Sequence, residues 1–108
     1  KSRPGHFIVL DETDGEKKIE IYDGKQKNFI LIDSENDKIM VESTDGNLEV
    51  TTGADTIFAV KGNFELKADG DVKIEAGGAV EMKSGSTTDI EAGSTCTIKG
   101  GPNVEINP

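Results

Sequence analysis

Residues 46–101 read GNLEVTTG, ADTIFAVK, GNFELKAD, GDVKIEAG, GAVEMKSG, STTDIEAG and STCTIKGG, which are seven blocks of eight residues without an insertion or a deletion. Residues 102–108, PNVEINP, begin an eighth block. The third and seventh positions of the block are apolar or small, whereas the fourth and sixth are mostly charged. The fifth position is always apolar: Val50, Phe58, Leu66, Ile74, Met82, Ile90, Ile98 and Ile106. A fixed period of this kind indicates a repeat architecture, and it decides how the rest of the chain is interpreted.

The pattern inside a block predicts a short β-strand followed by a tight corner. Positions three, five and seven are two residues apart, and two is the side-chain period of a strand. Glycine or a small polar residue stands at most block boundaries, as at Gly53, Gly62 and Gly70. Glycine adopts positive φ at little cost, so we expect these boundaries to turn the backbone through positive φ.

One chain alone buries such a pattern poorly, because each strand offers only two or three inward side chains. A single-chain β-helix needs two or three strands per turn, whereas eight residues fit a third of a turn. Three identical chains wound together complete the turn, and a closed trimer has no lateral sheet edges. The sequence therefore predicts an all-β fold, an intertwined homotrimeric triple-stranded β-helix (β-prism) built on the octad repeat, in the form of an elongated needle.

Charges on the predicted outer face alternate from block to block. In the prism, a residue lies beside the residue eight positions further on in a neighbouring chain, so these columns predict ion pairs between chains. Cross-strand pairs of opposite charge contribute roughly 0.2–1 kcal/mol each, which sets register more than stability. The alternative is a solvated charged face with alternation by chance. Position six reads Lys67, Glu75, Lys83, Glu91, Lys99, and position four reads Glu65, Lys73, Glu81, with Asp89 breaking the series.

The first 45 residues carry the same strand pattern at wider spacing. Their apolar pairs are eleven, eleven, nine and nine residues apart: Ile8/Leu10, Ile19/Ile21, Ile30/Ile32, Ile39/Val41 and Leu48/Val50. Polar turns separate the pairs, and Asp14-Gly15, Asp23-Gly24 and Asp45-Gly46 are strong turn dipeptides. We interpret residues 1–45 as a wider entry section of the β-helix with looser corners, and residues 46–108 as its regular shaft ending in a blunt tip.

Composition limits the class of protein. Only 33% of the 108 residues are hydrophobic and there is no Trp, which is poor for a globular core and fits a thin fibrous stalk. A trimer would carry −27, three times the −9 of one chain. That charge disfavours nucleic acid, whose phosphates require clustered Lys and Arg. No signal peptide or transmembrane run is present, and the opening KSRPGHF suggests a piece of a longer protein.

The residue types needed for catalysis or metal binding are sparse. His6 is the single histidine, and the single cysteine, Cys96, occupies an inward position that favours a small buried hydrophobe. The cluster Asp11, Glu12 and Asp14 lacks the closing glutamate of a calcium loop, because Ile21 stands there. We therefore expect no catalytic residue, no metal site and no cofactor, and we expect a protein that is not an enzyme.

The stretch GHFIVLDETDGEKKIEIYDGKQKNFILID (5–33), the octads and the ending IKGGPNVEINP (98–108) together resemble the C-terminal β-helical needle of VgrG proteins and of the central spike of contractile phage tails. The resemblance covers essentially the whole chain. It implies a needle at the front of a contractile injection device, such as a type VI secretion system or a phage baseplate. The rival interpretation is a trimeric adhesin or tail-fibre stalk acting as a passive spacer.

The resemblance also implies partners. Besides itself, the needle would bind a PAAR-repeat tip protein, and missing N-terminal domains would contact baseplate and tube proteins. The target-cell membrane would be a transient partner. The needle would assemble in the cytoplasm, as part of a virion or secretion apparatus, and be delivered outside the cell or into a target cell. By position, the cap-binding residues are Pro102, Asn103, Val104, Glu105, Ile106 and Asn107. No histidine follows His6, so the His-x-His iron-binding tip of some phage spikes is absent.

Overall fold

The computed structural model describes residues 5–25 and 27–107, which contain four β-strands and no helix. The strands are β1 (Phe7–Asp11), β2 (Lys18–Tyr22), β3 (Asn28–Asp33) and β4 (Lys38–Ser43). The expected all-β class is therefore confirmed. The described residues fall into two compact units, of which the first ends at Lys61 and the second begins at Gly62.

The four strands form one antiparallel sheet in the order β1-β2-β3-β4. The apolar pairs predicted from the sequence are directly opposite one another across the strands, and side chains two residues apart share a face. All eight of these side chains therefore lie on one side of the sheet. They form two rows, Ile8–Ile21–Ile30–Val41 and Leu10–Ile19–Ile32–Ile39.

The connections in this region differ from the expected loose corners of a β-helix. Each connection reverses the chain, so that successive strands pair within one chain as hairpins. The physical reason is the length and chemistry of the turns, because connections of four to six polar residues close hairpins readily. Gly15 occupies the Asp14-Gly15 turn with φ of 84°, a conformation that suits glycine. Leu48 and Val50 lie beyond the last strand, outside the sheet.

An aspartate stands at the end of the first strand of each hairpin or directly after it, and its carboxylate accepts hydrogen bonds from the turn that follows. Local bonds of this kind fix turn geometry, which explains why aspartate recurs at the strand ends. The donors are backbone N–H groups: Thr13 to Asp11 at 2.9 Å, Lys27 to Asp23 at 3.1 Å, and Glu35 to Asp33 at 3.1 Å.

These hydrogen bonds favour the charged carboxylate and lower the pKa of all three aspartates. The backbone N–H of Thr13 is the main cause for Asp11, and the side-chain amide of Asn36 is the main cause for Asp33. For Asp23, the largest single cause is lost hydration, which would raise the pKa. The hydrogen bonds donated by the following turn together lower the pKa by more than lost hydration raises it.

The opposite face of the sheet is half-buried and mixed in character. The rings of Phe7 and Tyr22 stack with centroids 4.8 Å apart and planes inclined by 23°. Lys18 Nζ lies 2.8 Å from Glu20 Oε1 on the same strand. One row of cross-strand neighbours alternates in charge across all four strands, in the order Asp11, Lys18, Asp33, Lys38.

The octad region is built differently, because residues 47–107 contain no paired strand. The backbone bends at 53–54, 61–62, 69–70, 77–78, 85–86, 93–94 and 101–102, an interval of eight residues without exception. Each bend joins the eighth position of one block to the first position of the next. The predicted corners are therefore confirmed at the predicted places.

The expectation of positive φ at these corners is wrong. No positive φ is found at the glycines of the octad corners in the described residues, whereas Gly5 and Gly15, which have positive φ, both lie before the octads. Each octad corner distributes its change of direction over two residues, so neither residue has to enter the left-handed region. Backbone conformation therefore does not by itself explain the preference for glycine at the block boundaries.

Candidate assembly surfaces

The apolar face of the four-stranded sheet, hereafter the apolar sheet face, consists of Ile8, Leu10, Ile19, Ile21, Ile30, Ile32, Ile39 and Val41. Its central side chains are partly shielded by their neighbours, as at Ile19 with 38% exposure. Its edges are open, since Leu10 on β1 is 72% exposed and Ile39 on β4 is 70% exposed. A contiguous apolar patch of this kind marks an interaction site more often than single exposed residues do.

At two of the octad corners, two side chains lie in contact across the bend. We call the seventh residue of one block and the third residue of the next block a corner pair. The hydroxyls of Thr52 and Thr56 lie 2.9 Å apart, and those of Ser84 and Thr88 also lie 2.9 Å apart. The hydroxyl–hydroxyl distance is the same at these two separate corners, so positions seven and three face the same side of the chain there, as the strand pattern predicted.

The last corner is tighter than the others. A Cβ added at Gly100 would overlap the carbonyl oxygen of Asn103 and would lie 2.9 Å from Val104 Cγ2. At Gly101 an added Cβ would meet nothing within 4 Å. Sequence reasoning did not single out Gly100, although it is the one glycine among the seventh positions of the blocks, and that was the available signal.

The structure places all six predicted cap-binding residues, 102–107, in exposed positions. Pro102 belongs to the bend at 101–102, while Asn103 and Val104 fold back towards Gly100. Further along, Ile106 is 80% exposed. Asn107 has φ of 47°, a left-handed value that asparagine tolerates better than most residues. Glu105 shares the exposed character of its neighbours.

Charged side chains along the octads remain solvent-exposed. Lys67 Nζ lies 3.7 Å from Glu65 Oε2, an ion pair within one block of a single chain. Their side chains are 83% and 71% exposed, so the pair contributes little by itself. The pairs between neighbouring chains remain a prediction.

His6 and Asp11, which were considered as catalytic or metal-binding candidates, accept hydrogen bonds that stabilise turns of the sheet. His6 Nδ1 accepts a hydrogen bond of 3.0 Å from the backbone N–H of Gly24, so the imidazole supports the β2–β3 turn. Asp11 has the corresponding role in the β1–β2 turn. Cys96 is exposed in the single chain. In the part of the chain that the structure describes, no three His, Cys, Asp or Glu side chains form a group that could hold a metal ion.

Nowhere in residues 5–25 and 27–107 is there a helix long and apolar enough to cross a membrane. Comparison of the chain with protein-family profiles, curated proteins and solved structures found no match.

Proposed function

We propose that this chain forms the β-helical needle of a contractile injection device, as a trimer of identical copies. The observation that carries the proposal is the series of bends at intervals of eight residues, with the seventh residue of one block facing the third of the next at Thr52/Thr56 and at Ser84/Thr88. A chain that turns after every short strand can wind with two others, each supplying one strand per turn. Mechanical resistance then comes from many backbone hydrogen bonds between chains, and it requires no catalytic residue.

The apolar sheet face supports the same arrangement. Three copies, each turning this face towards a common axis, would cover eight aliphatic side chains per chain. Burial of apolar surface stabilises by roughly 25 cal/mol per Å², and fully burying one large aliphatic side chain contributes about 1.5–3 kcal/mol. Burying the apolar sheet face against two further copies would therefore stabilise the trimer substantially.

A cap at the end of the octad series is part of the proposal. Residues 102–107 expose Val104 and Ile106 beside backbone groups that a partner strand could pair. A PAAR-repeat protein is the partner that the resemblance implies. We expect calorimetry to detect binding of a PAAR-repeat protein from the same cells to the full chain, and to detect none after deletion of residues 102–108. Undiminished binding by the truncated trimer would place the partner elsewhere.

Location within a particle separates the needle from a passive stalk. Gold-labelled antibodies against this chain, applied to contractile particles purified from the source cells, should mark the baseplate end and no lateral fibre. The label should become more accessible after the sheath contracts, because contraction drives the needle outwards. Labelling confined to fibres or to the cell surface would contradict the needle and support the adhesin or tail-fibre stalk.

A further inference from the structure

Two corner pairs differ from the rest in polarity. Thr52/Thr56 and Ser84/Thr88 bring two hydroxyls into hydrogen-bonding distance, whereas the other corners combine apolar or small residues. The two hydroxyl pairs lie 32 residues, or four blocks, apart. The remaining pairs are Val60/Phe64, Ala68/Val72, Ala76/Val80, Ala92/Cys96 and Gly100/Val104.

Chains with a repeating sequence can assemble in more than one axial register, and differences between the corner pairs can select one of them. Because successive octads are alike, one chain can slide by whole blocks along its track and still turn apolar side chains inwards. Register is weakly specified wherever neighbouring pairings are nearly equivalent. A trimer of this chain therefore needs some feature that is not the same in every block.

The charge columns exclude slips by an odd number of blocks. The sixth positions alternate in sign from Lys67 to Lys99, so a slip of one block places like charges side by side. Like charges on directly opposite residues are destabilising. A slip of two blocks restores the alternation, however, and the charges cannot distinguish it from the correct register.

The Ser84/Thr88 corner pair excludes slips of two blocks. In correct register, three copies of this pair lie at one level, and each pair retains one O–H that can donate to the next pair. The Thr52/Thr56 pair is satisfied within its own chain, because the Thr52 hydroxyl also donates to the Ala54 carbonyl oxygen at 3.2 Å. A slip of two blocks replaces one of the three Ser84/Thr88 pairs with Ala68/Val72 or Gly100/Val104, which leaves an inward hydroxyl without a partner. Only a slip of four blocks brings hydroxyl pairs together again, and it uncovers more than half of the seven complete blocks.

We infer that the Ser84/Thr88 corner pair specifies the axial register in which copies of this chain assemble; the inference rests on the trimeric shaft proposed above. Ser84 and Thr88 are specificity-determining residues of the interface between copies. Single polar residues at core positions specify register in coiled coils by the same principle, at a cost in stability. The charge columns thus exclude slips by an odd number of blocks, and the hydroxyls of this corner exclude slips by two blocks.

The test removes the hydroxyls while keeping side-chain shape. The hydroxyl-free variant carries Thr52→Val, Thr56→Val, Thr88→Val and Ser84→Ala. The matched control carries Thr51→Val, Thr95→Val, Thr97→Val and Ser94→Ala, at positions outside the corner pairs. Both are made in a chain with Cys96→Ala and a nitroxide on Asn63→Cys, unfolded in guanidinium and refolded, so that register is chosen again.

Pulsed electron paramagnetic resonance then reads the register. The unmodified background and the control should each give one distance between labels, as expected from a symmetric trimer. The hydroxyl-free variant should give additional distances, because strands stacked about 4.7–4.8 Å apart displace a two-block slip by about 9–10 Å along the axis. Adding Ala68→Thr and Val72→Thr should restore one distance, since all copies then share a new hydroxyl level.

Each other result has a definite meaning. One distance in the hydroxyl-free variant would overturn the inference while leaving the trimer intact. Loss of the trimer in that variant alone would also overturn it, because the hydroxyls would then be stabilising contacts. A monomeric mass for the unmodified chain by light scattering would instead refute the trimeric needle itself.

Discussion

The sheet at residues 7–43 and the octads at residues 46–107 use the same alternation of apolar and polar residues with opposite results. The sheet pairs its own strands, so its backbone groups are largely satisfied within one chain. The octads bend at regular intervals and form no paired strand in residues 47–107 of the single chain. The difference lies in the connections, because four to six polar residues allow a reversal, whereas a two-residue corner between blocks carries the chain onward.

The pattern that makes a segment a strand and the partner that the strand pairs with are therefore separate properties. In the sheet, hairpins supply the strand partner locally, and in the proposed trimer only the apolar sheet face would depend on other copies. In the octads of the proposed trimer, both the backbone groups and the apolar side chains would depend on other copies. We therefore expect the octads to depend on assembly more strongly than the sheet does.

Two isoleucines that are similarly exposed in one chain should differ most in their response to substitution by glutamate. Ile57 at the fourth position of its block is 80% exposed, and Ile74 at the fifth position is 71% exposed. If position five faces the axis, Ile74→Glu buries an unpaired charge, which costs about 3–5 kcal/mol per chain and prevents assembly. Light scattering should give a mass near 11.5 kDa for Ile74→Glu and about three times that for Ile57→Glu. Equal masses for the two variants would refute the assigned inner face.

The next effect tests the tight last corner. Gly100→Ala places a methyl group against the Asn103 carbonyl, and the resulting overpacking costs about 1–3 kcal/mol per chain. Gly101→Ala is the matched control, because its methyl group meets nothing within 4 Å and should change stability by no more than about 0.5 kcal/mol. Guanidinium unfolding followed by circular dichroism measures both. A difference below about 0.5 kcal/mol would show that this corner opens freely.

A smaller effect concerns the charge columns. In the proposed register, Lys83→Glu stands beside Glu75 and Glu91 of neighbouring chains. Exposed pairs contribute up to about 1 kcal/mol each, so three symmetric copies should lower the melting temperature measurably. Changing Glu75 and Glu91 to Lys in the same chain should restore part of the loss. A double-mutant cycle without coupling would count against this register.

The smallest effect concerns acid and belongs to the sheet alone. The pKa values of Asp11, Asp23 and Asp33 are lowered from the ordinary 3.8, so their hydrogen bonds stabilise the fold at neutral pH. This contribution is complete above the unfolded-state pKa and is lost as the pH falls below about 4 through the folded-state values.

Tyr22 is the single tyrosine in a chain without tryptophan, and it lies in the sheet, so its fluorescence reports this region. The urea midpoint measured by Tyr22 should fall between pH 5 and pH 2. In the Asp23→Asn, Asp33→Asn variant it should fall less, because amides do not titrate there. An equal fall in both proteins would assign the acid sensitivity to other groups.

Much of the local structure was predictable from residue order. The pairs from Ile8/Leu10 to Ile39/Val41 were expected to share a face, and they do. The corners were expected between blocks and occur there. The cap-binding assignment of residues 102–107 came from resemblance, and it stays a prediction that the exposed positions leave open. Gly100 was not foreseen, because its importance depends on where Asn103 returns in space.

Residue order alone specifies the strand pattern, the eight-residue interval and the polar turns, because these follow from side-chain period and from local turn chemistry. Contacts in space specify that the first four strands reverse as a meander, that His6 supports the turn at Gly24, and that the octad corners avoid positive φ. They also specify that positions seven and three meet across a corner, as at Thr52 and Thr56. These features depend on where distant residues come together in space, and residue spacing along the chain does not fix that.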